Sequence, residues 1–157
     1  MLGKIISIEE IQGFKIQPVN ALNGANGSSL GISQMLSSIM GYSDMDGYKV
    51  VTDAHVYHVL IDNGQSCCES WGYICSEDNV KPFIGTELRE VKLTDTALNQ
   101  TVVEKSGYYD DEGGIQFVDF VTDAGTFQLA VYNAHNGYYG HGILVAKDDE
   151  ILCEDVL

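Results

Sequence analysis

The chain has 157 residues, 45% hydrophobic and 20% charged, which is the usage of a globular domain rather than of a disordered segment. Only 8 Lys+Arg stand against 23 Asp+Glu, a formal net charge of −15. That charge argues against direct binding of nucleic-acid phosphate or anionic membrane and favours a basic partner, with plain solubility as the bland alternative.

In chain order, Lys4–Ile8 reads as a short strand. Residues 19–31 are rich in Asn, Gly and Ser and read as a loop. Ser28 or Ser29 caps an expected amphipathic helix near 29–41, where Leu30, Ile32, Met35, Leu36, Ile39 and Met40 recur at helical spacing before Gly41. Tyr48–Thr52 and His55–Asp62 alternate as strands, with Tyr57, Val59 and Ile61 on one face and His58 and Leu60 on the other. Asn63-Gly64 then signals a tight turn. Ser76-Glu77-Asp78 opens a short expected helix near 76–84, limited by Pro82 and Gly85.

Glu87–Asp95 reads as a strand, with Thr101–Lys105 as a further pairing segment. Ile115–Thr122 and Thr126–Asn133 flank Asp123-Ala124-Gly125 as a hairpin, and Gly142–Lys147 adds a strand. The acidic tail, 148–157, offers Ile151, Leu152 and Cys153 for pairing at an edge. These elements predict an α+β fold, mainly antiparallel β-sheet in hairpins. A single domain over 1–157 is expected, with an N-terminal extension at 1–47 and a β-rich core at 48–147. Leu2–Ile8 is too short for a signal segment and runs into Glu9 and Glu10, so an intracellular protein with reduced thiols is expected.

The chemistry concentrates in two segments at strand ends. One is Cys67-Cys68-Glu69; the other is His135-Asn136-Gly137-Tyr138-Tyr139-Gly140-His141. Thiolate and imidazole suit a borderline-soft metal, so Cys67, Cys68, His135 and His141 are the expected ligands of one zinc ion, with Glu69 and His55 in reserve. The competing reading is two buried thiols and two hydrogen-bonded histidines. His55 and His58 lie three apart, hence on opposite faces of a strand. Cys75 and Cys153 read as packing residues.

For partner contacts, the clustered carboxylates Asp44, Asp46, Asp110, Asp111, Glu112, Asp148, Asp149 and Glu150 and the rings Tyr138 and Tyr139 are the candidates. No catalytic residue is assigned. A cysteine–histidine pair, or Glu69 beside a metal, leaves a small metallohydrolase or cysteine hydrolase as the alternative, and a metabolite-binding counter-defence protein as another. No GxSxG, HExxH or phosphate loop is present, and Arg89 is the only arginine.

The segments Asp62–Gly72, Phe83-Ile84-Gly85 and His135–His141 resemble a family of small uncharacterised phage and prophage domains, over roughly residues 48–147. In size and acidity the chain is also similar to the zinc-binding phage inhibitors of type II-A Cas9, the anti-CRISPR proteins. That resemblance implies a host-defence-evading binding protein, acting in the host bacterial cytoplasm on a basic Cas9 ribonucleoprotein and blocking target DNA loading.

Overall fold

The computed structural model describes residues 2–15, 17–18, 31–32, 44–64, 69–109, 113–135 and 140–157. The alternation expected around Tyr57 is what organises it. Strand β5 (Val56–Asp62) turns Tyr57, Val59 and Ile61 into the main core and His58 and Leu60 to the other side. Its neighbours are β4 (Asp44–Thr52) and β10 (Gly142–Lys147), both antiparallel, with β1 (Ile5–Lys15) and β11 (Glu150–Val156) at the edges. The second sheet runs in the order β6 (Ser70–Cys75), β9 (Gly125–Ala134), β8 (Gly114–Thr122), β7 (Leu88–Thr94). Gln17–Pro18 (β2) and Gly31–Ile32 (β3) form a small parallel pair.

The two larger sheets stack face to face. Val59, Ile61, Ile143 and Val145 of one share a buried cluster with Val118, Phe120, Phe127, Leu129 and Val131 of the other. Phe120 and Phe127 are parallel, 5.0 Å apart, and Tyr57 meets Phe120 edge-on at 5.8 Å. At roughly 25 cal/mol per Å² of apolar surface, each such fully buried ring contributes about 2–3 kcal/mol. Gly47, at φ 152, lies in β4 where a Cβ would collide with the Val59 carbonyl, so only glycine permits this strand pairing.

Several expectations change. The expected helix at 29–41 lies largely outside the described residues, and its two described members, Gly31 and Ile32, are extended. The helix expected near 76–84 is reduced to one 3₁₀ turn, Lys81–Phe83, with Pro82 inside it. Thr101–Lys105 is not a strand: Gln100–Lys105 is helical, running from Asn99 to a left-handed Gly107 at φ 93. It covers the outer face of the second sheet, where Val103 packs on Phe117 and Ala130. The described protein is therefore mostly antiparallel β-sheet with very little helix. Among the described residues, no helix is long and apolar enough to cross a membrane.

Candidate functional site

Two connections pass between the sheets, and both lie at one end of the sandwich. β5 leaves the first sheet and the chain enters the second as β6; β9 leaves the second and the chain returns as β10. Ile143 pairs with Ile61 and Ser70 with Ala134, so the incoming and outgoing chains are neighbours at each crossing. Glu69 immediately precedes β6, and His141 immediately precedes β10. The segments singled out from the sequence thus meet through these two side chains: Glu69 Oε1 lies 3.2 Å from His141 Nε2.

Both groups are removed from water, with side-chain exposures of 3% for His141 and 0% for Glu69. His141 Nδ1 lies 2.6 Å from the Asp62 carbonyl oxygen. A carbonyl can only accept, so Nδ1 carries a hydrogen and donates it. That leaves Nε2 facing a carboxyl oxygen, a contact that requires a proton between them: an imidazolium against a carboxylate, or a neutral ring accepting from a carboxylic acid. Trp71 stacks on the His141 ring at 5.3 Å and 26°. Around the pair, the His141 N–H donates to the Leu157 carbonyl, which also accepts from Asn133 Nδ2 at 2.9 Å. Asn133, His135, His141 and Glu69 are all buried. A polar end therefore closes an otherwise apolar sandwich.

Cys67 and Cys68 lie outside the described residues, as do Asp110, Asp111, Glu112, Tyr138 and Tyr139. His135 is 7% exposed and immediately follows β9 on the crossing side. Among the described residues, no three His, Cys, Asp or Glu side chains are grouped to hold one ion. His55 takes no part. It precedes β5 whereas Asp62 ends it, a separation of roughly 20 Å along an extended strand, and its Nδ1 donates to Asp148 Oδ2 at 2.7 Å. Cys75 and Cys153 pack against the main core, and burial raises both thiol pKa values.

The acidic candidates divide. Asp46 is buried and accepts from the Gly13 N–H and from Asn63 Nδ2, so it holds the β1–β4 edge rather than facing a partner. Asp44 is partly exposed and pairs with Lys15 at 2.8 Å. Asp148, the one non-glycine residue with positive φ among those described, bonds His55 and the Val56 N–H and ties the β10–β11 turn to β5. Asp149 and Glu150 are exposed and continue into Glu154 and Asp155 along the free edge β11. The residues missed from sequence are Asn133 and the carbonyls of Asp62 and Leu157. A single Asn on the inward parity of an apolar strand was the available signal for the first; carbonyls carry none.

A family model described as a domain of unknown function, DUF7448, matches residues 1–145. The chain belongs to that family. Its match reaches residue 1, so the N-terminal 47 residues are part of the DUF7448 match. No curated protein and no solved structure matches the chain.

Proposed function

We propose that this DUF7448 protein is a non-catalytic binding module that docks its acidic surface on a basic protein or ribonucleoprotein and inhibits it, with one zinc ion stapling the crossover end. The observation that carries the reading is the buried contact between Glu69 Oε1 and His141 Nε2 at 3.2 Å. Two ligand atoms at about 2.0–2.1 Å from a tetrahedral zinc stand about 3.3 Å apart, so this pair has the spacing of two ligands of one ion. The Nδ1–H of His141 on the Asp62 carbonyl is the outer support a ligating imidazole takes. Cys67 and Cys68 directly precede Glu69 and are the thiolates proposed to join His141, with His135 or Glu69 as the remaining ligand. The ion supplies a cross-link between the two crossovers, and no reaction is assigned to it.

The docking surface proposed is the acidic edge β11, with Asp149, Glu150, Glu154 and Asp155 exposed, together with Asp44, Asp110, Asp111 and Glu112. A phage-encoded inhibitor acting on a type II-A Cas9 ribonucleoprotein matches this charge, because that effector is basic and holds nucleic acid in positively charged channels. Two measurements test the reading. Elemental analysis of protein purified without added metal is expected to give about one zinc per chain, lost in Cys68→Ala and His141→Ala; zinc-free, folded wild type removes the staple. Cas9 ribonucleoprotein is expected to be retained at low salt, released at high salt, and lost with Glu150→Lys plus Glu154→Lys. No retention at low salt removes that partner.

A further inference from the structure

The two larger sheets end on β1 and β11 and on β6 and β7. Sheets commonly protect such edges with bulges, charge or cover. β1 has register shifts at Ile5/Ser7 and Ile11/Phe14. It is tied to β6 through Tyr73 Oη, which donates to Glu10 Oε1 at 2.8 Å and accepts from Gln12 Nε2 at 3.0 Å. β11 has a shift at Val145/Ala146 and carries Glu150, Glu154 and Asp155, so two copies aligned along it would set like charges together. The shift in β7 lies at its start, between Leu88 and Glu90. There the Leu88 N–H donates to the Gly3 carbonyl, and the Leu2 N–H to the Leu88 carbonyl. From Glu90 to Thr94 the register with β8 is continuous, and among the described residues nothing pairs with the other side. Such a row of backbone donors and acceptors is a template for another strand.

The side chains of β7 select the strand it fits. Val91 and Leu93 pair with Phe120 and Val118 and share their inward face; Val91 is half-buried and Leu93 is 43% exposed. Glu90 and Lys92 pair with Val121 and Asp119, which sets both on the outer face, and both are exposed. Arg89 is already held by Asp123. A lone lysine on an edge repels a second copy, but here Glu90, two residues before it on the same face, supplies the complement. An antiparallel two-fold pairing centred on Val91 sets Lys92 opposite Glu90 of the partner subunit, and Glu90 opposite Lys92 of the partner subunit. Centring it on Glu90 or on Lys92 would instead oppose like charges. Lys92 keeps Asp119 as its neighbour on β8, so charges alternate in sign along the joined row.

We propose that β7 is a self-association edge: a second copy of this chain pairs with it antiparallel about Val91, joining the two β6–β9–β8–β7 sheets into one. The pairing also covers Leu93. So short a run buries less than the roughly 1,200 Å² of a stable interface, and the net charge of −15 on each copy opposes approach. The dimer is therefore weak, with a Kd on the order of 0.1 mM. It rests on neither the zinc staple nor the docking partner.

The test is sedimentation equilibrium of the whole chain from about 10 μM to about 1 mM, in about 0.15 M salt. A reversible monomer–dimer equilibrium is expected. Lys92→Glu, which opposes acid to acid, and Glu90→Lys, which opposes base to base, are each expected to raise the Kd at least roughly tenfold. Both positions are exposed, so the melting temperature of either variant is expected to stay at the wild-type value. An equimolar mixture of the two variants is expected to dimerise again, because each strand then meets the opposite charge. A chain that remains monomeric throughout, a dimer indifferent to Lys92→Glu, or a mixture that stays monomeric overturns the proposal.

Discussion

Lowering the pH from 7 to 5 should destabilise this protein through His58, and the size of the effect follows from where that ring lies. His58 projects from β5 away from the main core, stacks obliquely on Phe14 at 4.8 Å, and is 7% exposed with no partner for Nδ1. Lys49 is its cross-strand neighbour on β4, and Ala146 its neighbour on β10. Burial first, then the Lys49 charge, lower its pKa from 6.5 to about 4. The folded state therefore holds the ring neutral, while the unfolded chain takes up a proton near pH 6.5. Stability from this group is complete above about 6.5 and is lost as the pH falls towards 4. The loss reaches about 2 kcal/mol at pH 5 and about 3 kcal/mol once both states are protonated. Urea denaturation at pH 7 and pH 5, for wild type and His58→Phe, isolates this contribution because the other titrating groups cancel in the difference. The variant is expected to lose about 2 kcal/mol less than wild type over that interval. Equal losses in the two proteins would refute the account of a neutral, unpartnered ring.

Glu69→Ala leaves His141 buried without its carboxyl partner, and His141→Ala leaves Glu69 likewise; each is expected to cost about 3–5 kcal/mol in chemical denaturation, and the double variant less than the sum. Phe120→Ala empties the space facing Tyr57 and Phe127 and is expected to cost about 3–5 kcal/mol by the same assay. Gly47→Ala forces a Cβ against the Val59 carbonyl and is expected to abolish cooperative unfolding, where Gly125→Ala, with open space around it, costs far less.

The strands were readable because their signals are local. Tyr57, Val59 and Ile61 alternate with His58 and Leu60 over a few residues, and Gly125, at φ 125, closes a hairpin that Asp123-Ala124-Gly125 already announces. Thr101–Lys105 misled because Val102-Val103 has strand character, while the punctuation by Asn99 and Gly107 argues for a short helix. Packing decided it: only as a helix does that segment set Val103 over Phe117 and Ala130. Among the carboxylates, nothing in the sequence separates Asp46, buried on Gly13 and Asn63, from Asp44 at the surface.

From sequence alone came the β-rich architecture, the acidic composition and the two segments in which cysteine, histidine and glutamate side chains concentrate, because alternation, turn residues and charge act over a handful of positions or over the whole composition. Which of those groups meet was a long-range matter. Glu69 and His141 are 72 residues apart and touch only because β5 pairs with β10 and β6 with β9, bringing both crossovers to one end. His55, an equally plausible imidazole in the sequence, is carried by the length of β5 to the opposite end and spends its Nδ1–H on Asp148. Strand pairing and the stacking of the two sheets set those distances, and no local pattern encodes them.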